Sequence, residues 1–295
     1  MTSDAAALPA DAPDAGAGAG AVTTADEAAS IRERLGLRWW REMLYVLAFY
    51  AVYSFIRNRF GSAAVGIEHA FHNARTVVSI ERAVGLFHEE GIQDLFIGNR
   101  RFMQFWNVYY GTFHFIVTIF AMVWTYRRFP RRYPVWRNTL AFTTGLALVG
   151  FSLFPLMPPR LLDSCGPYGA CAHYGFVDSL ARFGGLWSFD SGAMSKVSNQ
   201  FAAMPSLHFA WSMWCFLVLY REVKSPIAKV LVAAYPWLTL FAIMVTANHY
   251  WLDAAGGAVI LTLGYLLGST LARFNLRRRE ERLASPAIVD GDRPV

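Results

Sequence analysis

Residues 247–272 read ANHYWLDAAGGAVILTLGYLLGSTLA. A polar cluster, Asn248-His249-Tyr250-Trp251-Leu252-Asp253, opens an apolar run over 251–272. About 20 apolar residues suffice to cross a bilayer as a helix. Five further stretches qualify, at roughly 40–57, 105–126, 138–157, 204–220 and 228–247, the fourth short and leaning on its flanks. Six such runs in one chain argue against buried helices of a soluble protein. The expected fold is all-α, a polytopic membrane protein with six transmembrane helices.

Composition agrees. Charged residues are 16% of the 295, against about 25% in an ordinary soluble domain. Aromatic residues, also 16%, exclude disorder for most of the chain. Three cysteines exclude a disulfide framework and a four-cysteine zinc module. The formal charge of +6 does not come from a basic arm with interleaved aromatics, so no nucleic-acid partner is expected. Residues 1–30 are rich in Ala, Gly, Asp and Thr and read as a disordered tail. They lack a basic start followed by an apolar core, so no cleavable signal is read there. A membrane domain is expected over 31–279, with a flexible tail over 280–295.

The arginines set the orientation. One set of connections holds Arg32, Arg34, Arg38 and Arg41, then Arg127, Arg128, Arg131, Arg132 and Arg137, then Arg221, Lys224 and Lys229, then Arg273, Arg277, Arg278, Arg279 and Arg282. The opposite set has a 158–203 loop carrying only Arg160, Arg182 and Lys196. The positive-inside rule puts both termini in the cytoplasm of a cell-membrane protein. The 58–104 segment, with five arginines against Glu68, Glu81, Glu89, Glu90 and Asp94, reads as one or two helices in the outer interface.

Three clusters then fall on the outer face: Pro158-Pro159-Arg160, Pro205-Ser206-Leu207-His208 and Asn248 to Asp253. Pro205 fits a first helical turn. The backbone N–H groups of Ser206, Leu207 and His208 would then form an anion site at a positive helix end. His249 and Asp253 are four apart and share a helix face. Asp253 would hold one ring nitrogen of His249 and leave the other as nucleophile or base. Arg160 supplies a positive fork for phosphate oxygens. A metal held by His208, His249 and Asp253 is the competing chemistry, but no close-spaced ligand pair supports it. No metal or organic cofactor is expected. Cys165 and Cys171 sit in the outer loop, where an oxidising exterior permits a disulfide, and Cys215 reads as an inert core residue.

The order Arg, then Pro-Ser-x-His, then His-x-x-x-Asp resembles the type 2 phosphatidic acid phosphatase superfamily over roughly 40–272. The resemblance implies that family's helical-bundle core. It also implies His249 as nucleophile, Asp253 as its orienter, His208 as general acid and Arg160 as a phosphate ligand. The departures carry information. Leu153 stands where the first signature has Lys, and Leu161 where it has Pro. Leu207 replaces the Gly of the second signature, and Ile243 the Arg of the third. Pro-Ser-Leu-His with Asn-His-Tyr-x-x-Asp is similar to the inositol phosphorylceramide synthase branch, which moves head groups between lipids. Asn73-Ala74-Arg75, Glu81, Glu90, Gln93, Asn107, Tyr110 and His114 also look like that branch.

Two cations of the usual clamp are thus absent, while phosphoryl transfer depends on electrostatic stabilisation. Arg75 is the first candidate to complete it, followed by Arg100, Arg101, Arg182 and Lys196. His114 is either a core hydrogen-bonding group or a support for the site. The expected activity is transfer or hydrolysis of a phosphoryl head group on a lipid phosphoester at the outer leaflet, most like inositol-phosphate transfer. The acceptor is a lipid hydroxyl or water. A lipid phosphate or prenyl diphosphate phosphatase is the alternative, and a non-catalytic lipid binder or transporter on the same fold the second.

Overall fold

The computed structural model describes residues 25–60, 66–185 and 200–284. Within them the chain runs α1 (Ala25–Arg34), α2 (Trp39–Phe60), α3 (Ile67–Ala83), α4 (Glu89–Asp94), α5 (Arg100–Arg128), α6 (Tyr133–Leu153), α7 (Pro159–Leu162), α8 (Ser179–Phe183), α9 (Leu207–Leu219), α10 (Pro226–Val245) and α11 (Trp251–Ala284). Each of the six apolar stretches is helical, in α2, α5, α6, α9, α10 and α11. Among the described residues three of these helices, α5, α10 and α11, are long and apolar enough to span a bilayer, and α9 is a shorter apolar helix. α2 carries Arg41, Glu42, Arg57 and Arg59 near its ends, and α6 carries Arg137, Asn138 and four threonine and serine side chains, which lowers their hydropathy. Ile116, Ile119 and Phe120 of α5, Val230 and Leu231 of α10, and Leu263 and Leu266 of α11 are exposed. Such an apolar belt suits lipid and not water. The protein is an integral membrane protein.

Local chemistry fixes the helix starts. Asn99 caps α5 by accepting from the Phe102 N–H, and Ser225 caps α10, accepting from Ala228, with Pro226 following at the first helical position. The core of the bundle is aromatic: Trp106 and Tyr109 of α5, Trp214 of α9 and Tyr235 of α10 are buried together. α6 and α11 pack on each other through Gly264 and Gly268. A Cβ at Gly268 would stand 2.5 Å from the Thr139 nitrogen, and one at Gly264 would stand 2.9 Å from the Thr143 nitrogen. Small residues four apart let membrane helices approach this closely. At the Arg-rich end, Arg137 donates to Glu42 at 2.7 and 2.8 Å, tying α6 to α2, and Arg132 pairs with Glu222.

The segment expected to lie in the outer interface does more than that. α3 buries Ala70, Asn73, Ala74, Val77, Val78 and Glu81 at helical spacing. These apolar side chains join Leu156, Met157, Leu162, Phe201 and Tyr250 in a second core above the bundle. The expected outer loop contains α7, α8 and a Cys165–Cys171 disulfide. Asp163 accepts from the N–H groups of Tyr174, Gly175 and Phe176 and closes that loop. The free Cys215 is buried against Thr118.

Parts of both expected tails are helical. Residues 25–30 begin α1, a run of good helix formers that buries Ala28 and Ile31 and sends the Arg32 guanidinium to the Arg127 carbonyl. α11 continues to Ala284 through an Arg- and Glu-rich run of equally good helix formers. The rest of the two tails, 1–24 and 285–295, lies outside the described residues.

The α6–α11 seam yields a paired test. Gly145, inside α6, has open space at its Cβ position, so Gly145→Ala should hold or raise the thermal midpoint in detergent, given alanine's better helix propensity of about 1 kcal/mol. Gly268→Ala gains the same propensity yet meets backbone, an overpacking cost of about 1–3 kcal/mol. It should lower the midpoint.

Candidate active site

Four chain segments meet at the end of the bundle away from the Arg-rich connections. Two are the strand-like pieces after α6 and before α9, which run side by side and bond through Leu156 N to the Phe201 carbonyl at 2.8 Å. The third is α7. The fourth is the turn between α10 and α11, where Ala247 takes a left-handed φ of 52°. They are cross-tied by backbone bonds: Arg160 N to the Ala247 carbonyl at 2.8 Å, and Ser206 N to the Asp253 carbonyl at 2.9 Å. The Tyr250 hydroxyl, fully buried, donates to the Met157 carbonyl at 3.1 Å.

His249 lies in that turn, two residues before α11 begins, and not on the helix as the spacing alone suggested. The pair with Asp253 forms all the same. Nδ1 of His249 stands 3.2 Å from Asp253 Oδ2 and 2.9 Å from the Ala203 carbonyl oxygen. Both partners are acceptors, so Nδ1 carries the proton and Nε2 carries the lone pair. That Nε2 is 3.4 Å from Nδ1 of His208. Asp253 Oδ2 also accepts from the Tyr250 N–H at 2.9 Å, the half of a capping box in which the third helical residue reaches back.

The start of α9 differs from the sequence reading. Pro205 precedes the helix. Ser206 is the N-cap, its hydroxyl oxygen accepting from the Phe209 N–H, and Leu207 is the first helical residue. Ser and Pro compete for this role, and the cap hydrogen bond decides it. Ser206 N is spent on Asp253, so the anion site is reduced to the N–H groups of Leu207 and His208, which the helix itself cannot use. Tyr110 stacks on His208 with centroids 4.2 Å apart. His114 meets it edge-on at 4.2 Å, its own Nδ1 3.0 Å from the Tyr110 carbonyl oxygen.

Arg160 is buried and held from three sides. Nε donates to Asn248 Oδ1 at 2.9 Å, Nη1 to Asp178 Oδ2 at 2.6 Å, and Nη2 to Gln200 Oε1 at 2.6 Å. Asp178 also caps α8, accepting from Leu180 and Ala181. Arg160, His208, His249 and Leu207 line one end of a cavity of about 3180 Å³. It continues between α5 and α6, past His114, Phe115 and Ile119, to Arg127 and Arg137. From Tyr110 to Arg127 that is about 25 Å of helix at 1.5 Å per residue. The structure does not bring Arg75 to this cavity. It lies on the exposed face of α3, and Arg100, Arg101 and Arg182 are exposed as well. Lys196 lies outside the described residues. Among the described residues no group of three or more His, Cys, Asp or Glu side chains is placed to hold a metal ion.

Residues 75–267, close to two thirds of the chain, match the PAP2 superfamily. The chain belongs to this superfamily. No curated protein and no solved structure matches it. PAP2 proteins are in general lipid phosphatases or phosphotransferases. In this PAP2 chain the residues not found by sequence reading are Asp178, Gln200 and the Ala203 carbonyl. Asp178 carried a signal of its own, an Asp just before Ser-Leu-Ala in the manner of an N-cap. Its pairing with Arg160 depends on the folded loop between them, which spacing does not reveal.

Asp178 offers a direct test of the Arg160 clamp. Asp178→Ala strips a buried guanidinium of its carboxylate and α8 of its cap. It should cost about 3 kcal/mol and lower turnover with it. Asp178→Asn keeps one acceptor oxygen, enough for the α8 cap or for Arg160 but not for both, and should fall between wild type and Asp178→Ala. Thermal midpoints of both variants in lipid nanodiscs, beside their turnover, check the ranking.

Proposed function

We propose that this protein is a lipid phosphotransferase that moves a phosphorylated head group through a phosphohistidine on His249, most like inositol-phosphate transfer. The observation that carries this reading is the tautomer of His249: a proton held on Nδ1 by Asp253 and Ala203, and a lone pair on Nε2 facing His208 at the cavity end. Nε2 attacks phosphorus and the bond to the leaving lipid oxygen breaks. His208 gives that oxygen its proton. In the second half the acceptor hydroxyl loses its proton to His208, its oxygen attacks phosphorus, and the phosphorus–nitrogen bond breaks. Arg160, the Ser206 hydroxyl and the N–H groups of Leu207 and His208 stabilise the charge on the phosphoryl oxygens. Arg75 could join this clamp only through a movement of α3.

The reading includes six crossings, with α2, α6 and α9 completing the three long apolar helices, both termini in the cytoplasm and the site at the outer leaflet of the cell membrane. The Arg-rich connections at the opposite end of the bundle support it. The cavity between α5 and α6 is far larger than a phosphate head group and suits hydrocarbon chains. Transfer in preference to hydrolysis is supported by Leu207, an apolar side chain beside His208, with Phe115 and Trp211 lining the same cavity. Water kept from the phosphohistidine leaves time for a lipid hydroxyl to arrive. An intact His208, His249 and Asp253 set speaks against a non-catalytic binder.

Purified protein offered phosphatidic acid, phosphatidylinositol and a prenyl diphosphate, with a hydroxyl-bearing lipid as acceptor, should form a lipid phosphodiester. Release of inorganic phosphate alone, whatever acceptor is present, would replace transfer by hydrolysis. Leu207→Gly should move the product balance towards inorganic phosphate. His208→Ala should lower turnover by about 10²–10⁴-fold, the usual worth of an acid–base group, and His249→Ala by more.

A further inference from the structure

The first turn of α11 presents N–H groups that the helix cannot use. Three carboxyl groups take them. Asp253 Oδ2 accepts from Tyr250, Glu89 Oε1 from Trp251 at 3.3 Å, and Glu81 Oε1 from Leu252 at 2.8 Å. Glu81 comes from α3 and Glu89 from α4, and both are 0% exposed. Their second oxygens, Glu81 Oε2 and Glu89 Oε2, are buried with no hydrogen-bond partner, although the two side chains lie within hydrogen-bonding reach of each other. Two ionised carboxylates so placed would repel strongly, and each orphan oxygen would carry a desolvation cost. A single proton between them removes both problems. One carboxyl donates, the other accepts, and the pair keeps one negative charge for the positive helix end.

We propose that Glu81 and Glu89 share one proton through their Oε2 atoms and that this pair holds the start of α11, and with it His249, in register with His208. They are positioning residues: neither lines the cavity. Their effect on turnover rests on the phosphohistidine reading, whereas the shared proton does not.

The surroundings agree. Burial first, and Glu89 beside it second, push the Glu81 carboxyl from 4.5 up to about 9. The ionisable groups that face the pair are Asp253 of α11, the Tyr250 hydroxyl and, next to it, that of Tyr174. Arg82, the next residue on α3, lies over the rings of Phe87 and Tyr174. Between pH 4.5 and about 9 the folded chain holds a proton that the unfolded chain has lost. Its contribution to stability is therefore complete below pH 4.5, falls as pH rises, and is gone above about pH 9.

The test is an infrared pH titration of the full chain in lipid nanodiscs, run beside turnover on phosphatidic acid. A protonated-carboxyl C=O band should be present at neutral pH, fade as pH rises through about 9, be absent from Glu81→Gln, and move in frequency in Glu89→Gln, where burial still holds the Glu81 proton but its hydrogen-bond partner has changed. Glu81→Gln keeps an acceptor for Leu252 and a donor for Glu89. It should retain turnover and lose the alkaline fall expected of the wild type. Glu81→Ala should lose about 10²-fold in kcat, the scale of a small misplacement of reacting groups, with KM little changed. A wild-type spectrum without a band that depends on Glu81 and Glu89 overturns the shared proton. If the band is present but no phosphorylated lipid turns over, the functional reading fails and the shared proton stands. Equal kcat values for Glu81→Ala and wild type overturn the positioning role.

Discussion

Nδ1 of His249 sits between Asp253 Oδ2 and the Ala203 carbonyl, and the rest of the site depends on that placement. The two acceptors arrive from different parts of the chain. Asp253 belongs to the first turn of α11, and Ala203 to the piece that leads into α9. The same two segments are joined again by Ser206 N on the Asp253 carbonyl. The imidazole is therefore fixed in tautomer and in direction by a junction of backbone and side chain, which a loop alone would not hold. The arrangement aims the Nε2 lone pair at one place and keeps the proton away from it.

Rigid helix packing carries that junction. α6 and α11 approach closely at Gly264 and Gly268, which brings the end of α6 to the start of α9. Gly150 of α6 and Gly256 and Gly257 of α11 all face Pro205 or Ser206 at distances where a Cβ would crowd. Above the bundle, α3 and α4 contribute an apolar cap and two buried carboxyls to the start of α11. Asp253 and the two glutamates lie at the positive end of a long helix, where negative charge is stabilised. Orientation of His249 and capping of the helix start are thus one set of contacts.

The helices were legible from apolar run length, and the residues of the candidate site from three short clusters whose residue types have few other uses together. The start of α9 was misplaced because Pro205 and Ser206 each favour a helix beginning, and only the hydrogen bond from Phe209 N separates the two. Arg75 was favoured by its neighbours in sequence, but Asn73 and Ala74 turn inward on α3 and so turn Arg75 outward. The contribution of Glu81 and Glu89 was hidden for a different reason. Their partners lie 171 and 162 residues further along the chain, and in sequence they look like the charged face of an interfacial helix. Tertiary folding, and no local pattern, makes them caps.

The central claim is a covalent phosphate on His249 Nε2. The most direct measurement is rapid quench of the enzyme into base during turnover of phosphate-labelled phosphatidic acid, followed by mass spectrometry of the peptide that spans Asn248 to Asp253. Phosphohistidine survives base and is lost in acid, so its signature is distinct from a phosphoester. The account predicts an acid-labile phosphate on His249 that builds up in early turnover and is absent from His249→Ala. Turnover at the wild-type rate with the label on another residue, or with no labelled protein at any time, would contradict it.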